Sequence, residues 1–299
     1  MKIGVNLPQT TNYDLANDVT TFAREAERLG YDSLWAYDRL LMPEDQSGAH
    51  GLYGMPGVPW PVRYGETTDP LVTLTLAAAV TERAELGTGV LVPPLYTPVR
   101  LAKSLAALDT ASGGRLIAGL GAGWSSDEFE AAAPRPIAER GAALDEFLDV
   151  AAAVWGPDPV TYGNGRYRIA PARINPKPAR RIPVVLGGAS EAALRRIARR
   201  ADGWLPTGMP AARVGETLAR LREMAAGHGR DPYGIGVIFQ VGVRDLTQLE
   251  RAVDDIAALA EAGVEHVYVT LPSAANHLDE LLEAAARLRE ALPAIRQDH

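Results

Sequence analysis

Along this chain the apolar positions change period repeatedly, from short continuous runs to the 3.6-residue spacing of an amphipathic helix and back. Residues 3–7 read as a buried strand, after which Leu15, Val19, Phe22, Ala26 and Leu29 recur at helical spacing. Gly30 follows where a left-handed cap belongs. Seven further strands are predicted at 33–37, 85–91, 115–121, 183–186, 203–206, 235–243 and 266–271, each followed by a helical pattern. Asp69–Pro70 and Thr97–Pro98 each supply a cap and a first-turn proline, opening helices that reach Val80 and Ala111. The last helix carries Leu278, Leu281, Leu282, Ala285 and Leu288.

Strand and helix alternating eight times predict an α/β fold closed as a (β/α)8 TIM barrel, with an open doubly wound sheet as the rival that periodicity does not separate. The length of 299 residues suits one barrel domain. Two segments stand outside the alternation, at about 42–66 and 157–180. The second holds Gly163, Asn164 and Gly165 between Tyr162 and Tyr167, a hairpin signal. The first is rich in Gly and Pro and carries His50, Tyr53, Trp60 and Tyr64. It leaves the strand end where barrels place their chemistry, so it reads as a substrate lid, with His50 a solvated loop histidine.

Composition narrows the chemistry. With no cysteine, thiolate catalysis, disulfides and cysteine-ligated metals are excluded, and a redox role requires a bound cofactor. A net charge of −7 without a dense Lys/Arg run argues against nucleic acid. No stretch approaches the roughly 18 apolar residues of a spanning helix, and the chain runs straight into its first strand, so an untargeted cytoplasmic protein with no membrane partner is expected. GxSxG and HExxH motifs are absent, and none of the five histidines is paired at metal-ligand spacing, so no metal site is expected.

Residues just after the strands are the candidates. Gly119, Gly121 and Gly123 in GLGAGW alternate, which suits a bare backbone floor for a flat ring and equally suits close strand–helix packing. Gly187 and Gly188 lead into a helix starting near Ala189 and Ser190, where first-turn N–H groups and the helix dipole favour a phosphate. The plain alternative is a tight turn with Ser190 as N-cap. Thr207 and Gly208, after the sixth strand, are placed to complete the cradle.

The segments YDSLWAYDRLL, LGTGVLVPPLYTPVRLAKSLAALDTASGGRLIAGLGAGW, ERGAALDEFLDVAAAVW and IPVVLGGASEAALRRIARRADGWLP resemble, in order, the luciferase-like monooxygenase superfamily, especially its coenzyme F420 (deazaflavin) branch. The resemblance implies a deazaflavin-dependent oxidoreductase passing hydride to or from an organic, hydrophobic substrate. It implies a cofactor set of Asn6, Asp38, Gly89, Val90, Gly121, Ala122, Gly123, Gly187, Gly188, Ala189, Ser190, Thr207 and Gly208, with a cis Gly89–Val90 peptide under the ring, and a homodimer. An FMN-dependent monooxygenase served by a separate reductase, or a non-catalytic flavin-binding barrel, are the alternatives. Two departures stand out. Many relatives carry Asp-His where this chain has Asp38 and Arg39; these two are the catalytic candidates, yet a guanidinium cannot act as a base. Arg39 thus either anchors an anionic group or pairs with a nearby carboxylate, and as a surface pair would matter little to stability. Trp124 replaces the carboxylate of the sugar-phosphate dehydrogenases, so Trp124 with Trp60 and Tyr64 is expected to wall an apolar substrate pocket.

Overall fold

The computed structural model describes residues 1–271 and 275–292, and within them eight parallel strands close into a barrel. These are β1 (Lys2–Asn6), β2 (Ser33–Ala36), β3 (Glu85–Thr88), β4 (Leu116–Leu120), β7 (Val184–Gly187), β8 (Gly203–Leu205), β9 (Gly236–Gly242) and β10 (His266–Thr270). Each strand pairs with its barrel neighbours in chain order, and β1 closes the ring against β10. The remaining two, β5 (Val160–Gly163) and β6 (Arg168–Ala172), form the separate antiparallel hairpin that the Gly-Asn-Gly signal predicts. Asn164 shapes its turn by accepting the N–H groups of Arg166 and Tyr167.

Around the barrel lie α1 (Asn17–Arg28), α2 (Pro70–Ala78), α3 (Pro98–Ala111), α5 (Arg140–Trp155), α6 (Glu191–Arg200), α7 (Ala211–Gly227), α8 (Leu249–Glu261) and α9 (Leu278–Ala291), with a short α4 (Ser126–Ala132) after β4. The fold is a (β/α)8 TIM barrel. Gly30 ends α1 at φ 88°, and the Asp69 carboxylate caps α2 by accepting from Leu71 and Val72. Thr97 occupies the same place before α3 but makes no side-chain cap bond; Pro98 alone presets the first turn there. No helix among the described residues is long and apolar enough to cross a membrane.

Alternate strand residues point inward and fill the barrel. Trp35, Ile117, Val185, Leu205, Ile238 and Tyr268 make this inner cluster, and Val90 packs on top of it. Trp35 and Tyr268 stack with ring centroids 4.3 Å apart and planes 10° from parallel. A Cβ on Gly87 would fall 2.3 Å from Trp35, and one on Gly89 would fall 2.4 Å from the Tyr268 hydroxyl. The chain therefore has to be glycine where it faces these rings, in β3 at Gly87 and just past it at Gly89. Below them Trp35 Nε1 donates to Ser33 Oγ at 2.8 Å, and Ser33 Oγ lies 2.7 Å from His266 Nε2. Burial pushes the His266 imidazole down to about 3, so it stays neutral in the fold.

Candidate active site

At the C-terminal ends of the strands the barrel opens into a cavity of about 550 Å³. Its floor is Val90. The ladder of β3 lapses after Thr88, so the predicted strand 85–91 is shorter than expected, and Leu91 rejoins the sheet through a single bridge to Leu120. Between them the Gly89–Val90 peptide is cis, as the family resemblance implies. A Cβ on Gly121 would sit 2.7 Å from Val90 Cγ2, and one on Gly187 would sit 3.3 Å from Val90 Cγ1. Glycine on β7 and just beyond β4 thus leaves the Val90 side chain space to stand at the centre of the cavity. Gly119 belongs to the packing reading instead, because its Cβ would meet the Thr88 carbonyl oxygen at 1.8 Å.

Asp38 braces this turn. Its N–H donates to the Val90 carbonyl at 3.1 Å, and its Oδ2 accepts the Val92 N–H at 3.0 Å. The Tyr96 hydroxyl donates to the same carboxylate at 3.1 Å. Burial pushes Asp38 up to about 6, with the bonds from Val92 and Tyr96 opposing the shift.

Arg39 departs from the surface residue that its loop position suggests. The side chain is 7% exposed, and its Nε lies 3.4 Å from Oε1 of Glu128, which is 1% exposed. Arg39 Nε also donates to the Asp38 carbonyl at 3.1 Å. The guanidinium carbon is 4.8 Å from the Trp124 ring, 5.3 Å from Tyr64 and 5.5 Å from Trp60, an aromatic cage on three sides. Glu128 enters from α4, whose N-cap Ser125 accepts its N–H, and Glu128 Oε1 also accepts the Leu40 N–H at 2.8 Å. Burial raises the Glu128 pKa while Arg39 pulls it down. The expectation of a weak surface pair is therefore overturned: removing one member leaves the other charge buried.

The predicted lid folds back over this end in three short 3-10 turns, Gly48–His50, Leu52–Gly54 and Val62–Tyr64. His50 is not merely solvated, since its Nδ1 lies 2.8 Å from Asp127 Oδ1 on α4. Trp60 donates from Nε1 to the His50 carbonyl and is 4% exposed. Of the three predicted wall residues, Tyr64 and Trp124 line the cavity; Trp60 stands behind them, its ring 4.6 Å from that of Trp124. Tyr53, a loop residue to which the sequence pattern gives no role, lines the mouth with its ring 5.0 Å from Trp124.

The opposite end runs to the N-terminus of α6. Gly187, Gly188, Ser190 and Thr207 line it, with Arg140 and Arg196 beside them. Gly188 has φ 109°, and Ser190 caps α6 by accepting the Ala193 N–H at 3.3 Å. The N-cap reading of this turn is therefore met by Ser190. Arg196 is held by Asp145 through bonds of 2.8 and 2.9 Å. Ala122 and Gly123 also reach the cavity, whereas Asn6, Ala189 and Gly208 do not line it. Asn6 faces inward, donating to the Trp35 carbonyl and accepting from Thr270, which with Gln240 does line the cavity.

The family model described as luciferase-like monooxygenase matches residues 1–298, and the chain belongs to that family. An uncharacterized protein of Mycobacterium tuberculosis is 34% identical over 252 residues, covering 84% of this chain and 86% of that one. An F420-dependent glucose-6-phosphate dehydrogenase of Nakamurella multipartita is 31% identical over 261 residues, covering 83% of this chain and 72% of the other. Among solved structures, an F420-dependent secondary alcohol dehydrogenase in complex with an F420-acetone adduct superposes with a TM-score of 0.79, covering 99% of both chains at 17% identity. At that identity the likeness speaks for the fold.

Two outcomes are expected of this geometry. Arg39→Ala should cost about 3–5 kcal/mol in urea unfolding, and most of the loss should return when Glu128→Gln is added, since the pair is buried. A cost under about 1 kcal/mol, or no recovery, contradicts the buried pair. The second concerns pH. Asp38 titrates near 6 when folded against an ordinary 3.8, so its contribution is fully present below pH 3.8 and is lost as pH rises through 6. Asp38→Asn should therefore gain in Tm relative to wild type between pH 4 and pH 7, the His266 contribution cancelling in the comparison. A falling difference shows that the ionised carboxylate is the favoured form.

Proposed function

We propose that this protein is a coenzyme F420-dependent oxidoreductase acting on an organic substrate with a hydrophobic body. The observation that carries the reading is the cavity floor: Val90 stands free between Gly121 and Gly187, a platform that a Cβ on Gly121 would fill and that suits a flat ring laid face-on. When bound, the deazaflavin supplies or accepts the hydride. The chain supplies the rest. Val90 and Gly121 would hold the ring, Asp38 holds the turn that carries Val90, and the α6 N-terminus with Gly187, Gly188, Ser190 and Thr207 would hold the phosphate.

Charge supports an acidic cofactor. Of the four arginines that line the cavity, Arg39 and Arg196 are balanced by Glu128 and Asp145, which leaves Arg63 and Arg140 for an anionic group in a chain whose net charge is −7. The F420-dependent relative at 31% identity points the same way. Substrate is assigned to the aromatic end, where Tyr53, Tyr64 and Trp124 surround the space above Arg39. The family description, luciferase-like monooxygenase, keeps reduced FMN with oxygen as the competing reading. The homodimer remains a proposal from the resemblance alone.

Titrating the purified protein with F420 and with FMN, following tryptophan fluorescence, separates the two, because Trp124 lines the cavity. F420 is expected to quench it with at least tenfold the affinity of FMN, about 1.4 kcal/mol. Tighter binding of FMN overturns the deazaflavin assignment, and binding of neither overturns the cofactor reading altogether.

A further inference from the structure

Across the barrel mouth from α6, the lid carries a cation that no side chain among the described residues balances. Arg63 lines the cavity, its guanidinium makes no hydrogen bond or ion pair among those residues, and its nitrogens are not buried. The other three cavity arginines are committed: Arg39 faces Glu128, Arg196 is held by Asp145, and Arg140 donates to the Ile137 carbonyl beside α6. The backbone of Arg63, by contrast, is fixed. Its carbonyl accepts from Thr67 Oγ1 at 2.9 Å, and Thr67 bridges to Thr10 in the loop after β1. The cation is thus held in one place with all its donors left for a ligand.

That place lies opposite the glycine turn before α6. In the closed ring β1 and β7 stand four strands apart by either route, and residues 187–190 end β7. Arg63 instead borders a side pocket with Asn6 of β1, Leu7, Tyr37 just past β2 and Thr270 of β10. Its charge reaches the Tyr37 hydroxyl as well: burial raises the Tyr37 pKa, and the bond from Thr67 and the Arg63 charge oppose that rise. A group held at α6 is therefore separated from Arg63 by the width of the mouth, with Val90 between them.

Charge defines what Arg63 would receive. The cavity has one lining carboxylate, Asp38, and it is bound to Val92 and Tyr96, which follow β3 and not β1. On the β1 side the polar groups are neutral and satisfy one another, Gln240 Nε2 donating to Thr270 Oγ1 and Thr270 Oγ1 to Asn6 Oδ1, each at 3.0 Å. A single unbalanced guanidinium matches a single carboxylate, whose two oxygens fit its fork of donors. A phosphate, with about −1.5 to −2 charges, would bring an excess that nothing on this rim offsets. The adjoining walls are rings: Tyr64 follows Arg63 in the chain, its ring lies 5.9 Å from that of Tyr37, and both line the cavity.

We propose that Arg63 binds the carboxylate of the substrate, and that the substrate is a monocarboxylic acid whose apolar body runs along Tyr37 and Tyr64 toward Val90. The proposal deepens the functional reading above and rests on its assignment of the α6 end to the cofactor. Acid and cofactor then occupy opposite ends of one cavity and bind together.

Phenylacetate and phenylacetamide share a shape and differ in charge, and benzylphosphonate carries a second charge. Calorimetric titration of the wild-type protein should show phenylacetate binding about tenfold or more tighter than phenylacetamide, and tighter than benzylphosphonate. Saturating F420 should change the phenylacetate affinity by less than about twofold, because the two ligands sit apart. In Arg63→Gln the preference should fall below about threefold with phenylacetamide unchanged, whereas Arg140→Gln should keep it. Arg63→Lys retains the charge and loses the fork, so it should show a reduced preference, and it covers the case in which Arg63→Gln does not fold. Equal binding of acid and amide by wild type, no binding of any probe, benzylphosphonate as the tightest ligand, competition between phenylacetate and F420, a preference untouched in either Arg63 variant, or one lost in Arg140→Gln each overturns the proposal. Failure of the cofactor reading looks different: the preference for the acid persists and depends on Arg63 while F420 does not bind.

Discussion

Two stacked rings inside the barrel, Trp35 and Tyr268, constrain everything above them. They fill the interior so fully that the chain must pass them as Gly87 and Gly89, because any Cβ there would lie well inside contact distance. The chain then carries Val90 onto the top of the plug, where Gly121 and Gly187 give it space. A cavity floor in this fold is thus the upper surface of a packed core, and the core's packing fixes its height and shape. Asp38 converts that packing into a site by tying the turn from both sides, through Val90 and Val92.

The roof depends on one buried charge pair. Arg39 follows β2 and Glu128 sits on α4, so their contact at 3.4 Å links a loop to a helix 89 residues further along the chain. Around it the lid closes through Trp60, the His50–Asp127 contact and the rings of Tyr64 and Trp124. The same guanidinium ties the lid to the barrel rim, with Nε facing both the Asp38 carbonyl and Glu128.

Much of the fold is legible in the sequence because it is local. Strand runs, helical spacing, Gly30, the Asp69–Pro70 cap and the Gly163–Asn164–Gly165 turn each act over a few residues. The glycine turn before α6 is legible for the same reason, whereas Trp124 as a pocket wall follows from the family resemblance. What pattern reading misses is set by contacts between distant segments. Glu128 reads as one more acidic residue at a helix start, and nothing in SSDE reveals that it is buried against Arg39. Gly119 and Gly121 look equivalent in GLGAGW, yet one meets a backbone oxygen and the other meets Val90. Trp60 and Tyr64 share a loop, but only the fold decides which faces the cavity.

In the proposed function, Val90 and the α6 N-terminus together define where a deazaflavin would lie. A crystal structure of the protein grown with F420 tests it most directly. The ring is expected face-on over Val90, with the phosphate within hydrogen-bonding reach of residues 187–190 and the open side of the ring toward Arg39 and Trp124. A ring seated away from Val90, or a phosphate beyond reach of that turn, would contradict it.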